Sequence, residues 1–386
     1  MNKQENCSCS GSQITLPLNQ VESSCCSTAN DAASIIPRLD QSFVSGSIQT
    51  AAGLIPKVPA QCYSRDHWGT IKARWGVDRM NYMVDPGLYA LGNPDNNSPV
   101  LVTANYKMSF DYLRRELTGR NLWILVLDTK GINVWCAAGH GTFGTEELIR
   151  RIAASGLKNI VSHRKLIVPQ LGAPGVAAHE VKRFSGFKVH YGPIRAKDLP
   201  AYLDSGWEAT PAMRIMTFPW KERAVLIPIE GVYAVKPFLI IAPVLFILSG
   251  IGGPAAFWSN TLNYGLFAVF ALLAAIISGA VLNPLLLPYL PGRAFSTKGA
   301  SIGLVVALIL LYLRDANLLN WAGRIEALAW LLIIPAISSY LAMNFTGAST
   351  YTSLSGVKKE MRWALPAQIA AACAGFVTWI ASRLIA

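Results

Sequence analysis

The last 150 residues hold five long apolar runs, roughly 235–252, 264–282, 299–313, 327–345 and 364–382, and nothing else in the chain restricts its fold so strongly. From Pro237 onward there are eight Lys/Arg and three Asp/Glu, against 26 and 19 in the first 236 residues. Runs of that length with so little charge predict about five transmembrane helices, several of them near the lower length limit. The loops after the second and fourth runs carry Arg293 and Lys298, then Lys358, Lys359 and Arg362, whereas those after the first and third carry only Arg314 and Arg324. The positive-inside rule therefore places the amino-terminal part in the cytoplasm of a multi-pass inner-membrane protein. No ionisable residue sits in the middle of a run and the halves show no repeat. That leaves a membrane binding or transport protein with a ligand-sensing soluble domain as the minority reading.

The first part of the chain is too charged for a membrane bundle. Residues 1–60, rich in Ser, Thr, Gln, Asn and Ala, read as a disordered leader, whose Cys7-Ser-Cys9 and Cys25-Cys26 pairs either hold a soft metal ion or are incidental thiols. The start has no apolar core, so no signal peptide is expected, and seven cysteines without repeated zinc spacing imply no disulfide framework. From Val100 to Asp204 apolar runs alternate with amphipathic stretches. Strands are expected at Val100–Thr103, Leu122–Leu127, Leu166–Val168 and Lys188–His190. Helices are expected at Ser109–Leu117 with Ser109 as N-cap, at Thr145–Ala154, around Val176–Phe184, and at Lys197–Leu203. The fold class is thus an α/β Rossmann-like domain with a parallel sheet, over about 61–230, joined to an all-α transmembrane domain over 231–386. The net charge of +12 is spread over both parts and no nucleic-acid module is visible, so no nucleic-acid partner is expected.

Ligands of such sheets sit at the carboxyl ends of the strands, where the glycine-bearing segments fall. The first of these, Gly131-Ile-Asn-Val-Trp-Cys-Ala-Ala-Gly-His-Gly-Thr-Phe-Gly-Thr145, holds a single cysteine, Cys136. Taken alone, a buried inert thiol and a ligand stand even. Four glycines in fifteen residues tilt the balance toward something flat or bulky pressed against backbone. Thr142 and Thr145, at a helix start, suit an anionic or amide group. Pro169-Gln-Leu-Gly-Ala-Pro-Gly175 is a second such turn, and the polar loop Asn344–Glu360 is either an anion grip or a plain hairpin. The five histidines show no metal-ligand spacing, and no hydrolase elbow appears.

The run Asn133-Val-Trp-Cys-Ala-Ala-Gly139 resembles the cap-helix signature of the mercury-methylating corrinoid proteins. Ser98-Pro-Val-Leu-Val-Thr-Ala-Asn-Tyr-Lys-Met-Ser-Phe-Asp111 resembles the corrinoid-binding domains of the corrinoid iron-sulfur proteins, and the likeness extends from about Gln61 to Ala386. It implies cobalamin or a related corrinoid, with Cys136 ligating cobalt from below as the catalytic group. Corrinoid contacts are implied for Thr103, Asn105 and Lys107, and for Asn133, Val134, Trp135, Ala137, Gly139, His140, Gly141 and Gly144 of the cap segment. Thr142 and Thr145 would meet propionamides or the nucleotide-loop phosphate, and Gln170, Gly172 and Gly175 would admit the nucleotide tail. Without the resemblance, Thr103, Asn105 and Lys107 are loop polars and Trp135 is equally well core. The family usually has Lys where this chain has His140, a residue that supplies a cation only partly near neutral pH and is a minor competitor as axial ligand.

The implied reaction is methyl transfer from methylcob(III)alamin to inorganic Hg(II), giving methylmercury. Hg(II) is an electrophile, and a thiolate opposite the methyl favours departure of the methyl with its electrons. The Co(III) left behind needs two electrons, and the chain lacks the cysteine runs of an iron-sulfur protein. The resemblance implies a ferredoxin-type partner with two [4Fe-4S] clusters and a methyltetrahydrofolate-dependent methyl donor protein, besides the lipid bilayer. Methyl transfer to another acceptor is the alternative that His140 favours.

Overall fold

The computed structural model describes residues 36–314, 318–345 and 354–385, all of them within one compact unit that runs from Ser34 to Ala386. Cys7, Cys9, Cys25 and Cys26, and the middle of the polar loop 344–360, lie outside the described residues.

The strands are β1 (Gly46–Thr50), β2 (Gly53–Val58), β3 (Gly87–Leu91), β4 (Val100–Ala104), β5 (Leu122–Leu127), β6 (Lys165–Val168) and β7 (Lys188–Tyr191). They form one sheet in the order β1-β2-β3-β5-β4-β6-β7. Every residue of β4 and β5 is buried, because helices cover both faces; this is why these strands read as continuous apolar runs. The helices of this part are α1 (Ser64–Arg74), α2 (Lys107–Arg115), α3 (Val134–His140), α4 (Thr145–Ala154), α5 (Leu157–Ile160), α6 (Ala178–Ser185) and α7 (Leu199–Asp204). On one face Ala137, Leu148, Leu157 and Val181 pack on Leu125 and Leu166; on the other Phe110, Leu199 and Tyr202 pack on Tyr89, Ile124 and Ile167.

The sheet is mixed rather than parallel. β4 pairs in parallel with β5 and β6, and β6 with β7, as the alternation requires, but β3 runs antiparallel to β5. The connection from Leu91 to Val100 is only eight residues, too short for the crossover that a parallel β3 would need. Within the stretch expected as a leader, β1 and β2 form an antiparallel hairpin, held because Ile55 and Val58 are almost fully buried. Helix α2 starts at Lys107, not Ser109, and Tyr106 stands at the N-cap position with no side-chain cap bond. The Lys107 ammonium is caught between Asp66 and Asp111, at 2.8 and 2.6 Å, which fixes that residue in the first turn.

Beyond the sheet, five helices among the described residues are long and apolar enough to cross a membrane: Trp220–Leu248, Phe257–Leu286, Phe295–Leu313, Trp321–Asn344 and Gly356–Ile385, here the first to fifth spans. Close packing needs small residues between them. A Cβ on Gly299 of the third span would lie 2.4 Å from that of Ala342 in the fourth. Glu326 falls inside the fourth span near its start and pairs with Arg314 at 3.1 Å and Arg383 at 2.7 Å, joining the third, fourth and fifth spans at one end.

Candidate functional site

Between β4 and β6 the chain changes direction: β4 leads to β5 on one side, and β6 leads to β7 on the other. At such a switch point the loops part and leave a crevice at the carboxyl ends of the strands. A cavity of about 550 Å³ lies there. Thr103 of β4, Pro169 after β6, and Asn133 to Cys136 at the start of α3 all line it.

Asn133 is the N-cap of α3, and its side-chain oxygen accepts from the Cys136 amide at 2.9 Å. An N-cap side chain satisfies one of the helix's orphan donors, and here it fixes the turn from which the sulfur projects. Gly141, with a φ of 86°, ends the helix in the left-handed region. Burial pushes the Cys136 thiol above its ordinary value, while a hydrogen bond with Asn133 and the charge of Arg79 pull the other way. Without a metal, the group is a protonated thiol at neutral pH.

The wall toward the spans comes from residues that sequence reasoning missed, Met216, Phe218 and Glu222. Arg195, after β7, holds this segment: it pairs with Glu222 at 3.0 Å and donates to Thr217 Oγ1 at 2.9 Å. Phe218 is buried with a φ of 43°, strained backbone for a bulky residue, and packs near Phe345. The segment Thr217-Phe-Pro-Trp-Lys-Glu222 carries aromatic and charged residues where the chain enters the first span, the one signal that could have marked it. Arg195 Nε and Glu222 Oε2 are buried without a hydrogen-bond partner. One is a donor and the other an acceptor on the wall of the cavity, which suits a ligand whose rim carries amides.

Of the sequence-predicted residues, Thr103, Asn133, Val134, Trp135 and Cys136 come together around the cavity. Asn105 and Lys107 do not line it. The Asn105 oxygen accepts from Thr129 N, Thr129 Oγ1 and Gly131 N, so it shapes the turn leading to α3. Lys107 belongs to the buried ion network with Asp66, Asp111 and Arg114. Gly172 and Gly175 serve packing: an added Cβ would come within 2.4 Å of the Phe143 ring and 2.1 Å of the Phe143 carbonyl oxygen. Thr145 Oγ1 accepts from the Ala177 amide at 2.8 Å, Thr142 Oγ1 lies 3.4 Å from the Ala137 carbonyl oxygen, and Gln170 takes a hydrogen bond from Arg214. Ala137 is fully buried beneath the helix. Around Gly139 and Gly141 there is open space, beside the exposed His140.

Comparison with known proteins concerns this same region. Residues 77–203 match the family model for the CO dehydrogenase/acetyl-CoA synthase delta subunit. The acetyl-CoA decarbonylase/synthase complex subunit gamma of Methanopyrus kandleri is 33% identical over 123 residues, 31% of this chain and 26% of that protein. The subunit of the same name from Methanocaldococcus jannaschii is 31% identical over 142 residues, 36% of this chain and 28% of that protein. That from Archaeoglobus fulgidus is 29% identical over 143 residues, 36% of this chain and 30% of that protein. The chain thus spans under a third of the length of these relatives, and the family match takes in β3 to β7 and α3 but neither β1, β2 nor the five spans.

Proposed function

We propose that this chain is a membrane-anchored corrinoid methyl-transfer protein whose methyl acceptor is Hg(II). The observation that carries the reading is the Cys136 segment opening onto a large cavity at the switch point of the sheet, within the region that resembles synthase subunits. Cys136 would hold a corrinoid there, and the group would supply a cobalt-bound methyl whose transfer to a soft electrophile sulfur ligation would favour. The chain's own residues do the rest. Asn133 holds the first turn of α3 so that Sγ projects into the cavity, and Arg79 adds the positive field that a departing thiol proton requires. Arg195 and Glu222 meet amide groups with their unpaired nitrogen and oxygen, and Met216 and Phe218 keep water from that side.

The test is a purified preparation. It should be coloured, with cobalt near one per chain, and Cys136→Ala should change the absorption spectrum and abolish methylmercury formation. Wild-type activity in that variant would end the axial-thiolate reading. A second reading, methyl transfer to another acceptor, rests on the synthase subunits matched and on His140 where the mercury methylators usually have Lys. It gives the same colour and spectrum but no methylmercury from the intact protein supplied with reductant and methyl donor.

A further inference from the structure

A second cavity, of about 240 Å³, lies between the sheet domain and the start of the first span. Arg74 and Arg79 reach it from the end of α1 and the turn that follows, Tyr106 and Asn133 from the sheet domain, and Val225 and Ile229 from the span. No carboxylate lines it. Neither arginine makes an ion pair among the described residues: Arg74 donates to Val225 O and Tyr112 Oη, and Arg79 to Ala73 O. The Tyr106 side chain is 4% exposed, and its hydroxyl is buried with no hydrogen-bond partner. Arg79 lies over the Tyr106 ring, 5.5 Å from its centroid, and Arg74 lines the same cavity. Two guanidiniums and an unused hydroxyl donor, with Glu230 of the first span acting on Arg79 from off the wall, fit a compact oxyanion.

We propose that this cavity binds a phosphate-class anion through Arg74, Arg79 and Tyr106. Its level suggests one source. The first span has 29 residues and so runs about 43 Å at 1.5 Å per residue, against a hydrocarbon core of about 30 Å. Its first turns, including Val225 and Ile229, therefore lie among lipid headgroups, and the phosphate of an anionic lipid reaches the arginines from there. Free phosphate is the other source, and only the lipid route depends on the membrane reading. Neither depends on the corrinoid, although Asn133 lines this cavity as well as the one that holds Cys136.

Full-length protein is placed in nanodiscs of phosphatidylcholine alone or with phosphatidylglycerol, and native mass spectrometry counts the phosphatidylglycerol retained on release. Equilibrium dialysis of the same protein in detergent measures inorganic phosphate binding. Retention of phosphatidylglycerol identifies the lipid source, and saturable phosphate binding the soluble one. In either arm Arg79→Gln should weaken binding roughly tenfold or more, as expected for loss of a charge-assisted bond. Tyr106→Phe keeps the ring and the packing while removing the donor, and should weaken binding severalfold even if the arginine variant folds poorly. Binding in neither arm, or binding that both variants leave unchanged, overturns the proposal.

Discussion

At the residue scale, the state of Cys136 decides what the site can do. Its thiol is raised by burial more than Asn133 and Arg79 lower it. On the proposed function, metal ligation by this sulfur would expel a proton, so coordination would strengthen as pH rises and be lost on acidification. Without cofactor, alkylation of Cys136 followed by peptide mass spectrometry should show a midpoint above the ordinary thiol range; a midpoint below it would mean that the site stabilises thiolate unaided. The sequence made Cys136, Asn133 and Trp135 legible because a local motif on a turn needs no long-range information. The resemblance implied a ligand contact for Lys107, which instead pairs with Asp111, four residues on, and with Asp66, 41 residues away. For Gly172 and Gly175 the residue type was readable and the reason was not. What approaches them is Phe143, two residues before α4 begins.

At the element scale, Arg114 and Lys107 of α2 bind Asp66 of α1, and Arg114 also donates to the carbonyls of Pro59 and Gln61 after β2. The network ties the amino-terminal hairpin and α1 to the middle of the sheet. Burial alone would raise the Asp66 carboxyl, but Lys107, the Tyr63 amide and Arg114 outweigh it and hold the group below the usual carboxylate range. A depressed carboxylate contributes stability that is present above its unfolded value and disappears as pH falls through its folded one. Replacing Lys107 by Met leaves two buried carboxylates with one cation, and thermal or denaturant unfolding should register a loss of roughly 3–5 kcal/mol. Together with reduced acid sensitivity at the Asp66 step, that outcome would separate the network from simple packing. Element by element, β5 and α4 were readable to the residue, since one is an unbroken apolar run and the other a clean amphipathic stretch with acids in its first turn. β1 and β3 were not: Gly-Ser-Ile-Gln-Thr is a mostly exposed edge, and Gly-Leu-Tyr-Ala-Leu is too short to carry a period. α1 escaped notice because Trp68 and Ile71 are exposed, which blurs its amphipathic pattern.

At the scale of the whole molecule, Glu326 clasps three spans at the end remote from the sheet domain, and Arg314 and Arg383 also lie over the ring of Tyr264 from the second. Glu326→Ala removes a carboxylate paired with two guanidiniums, and thermal unfolding in detergent should fall by several degrees, equivalent to about 3 kcal/mol or more. An unchanged melting temperature would show that the spans are held by packing alone. The cavity beside Cys136 has its own link to the membrane part, since Met216, Phe218 and Glu222 belong to the stretch that enters the first span. A fragment cut before Met216 would keep every strand and the sulfur yet lose the wall that Met216, Phe218 and Glu222 give the cavity. Biochemistry done on such a truncation would describe a different reaction vessel from the one the intact chain builds.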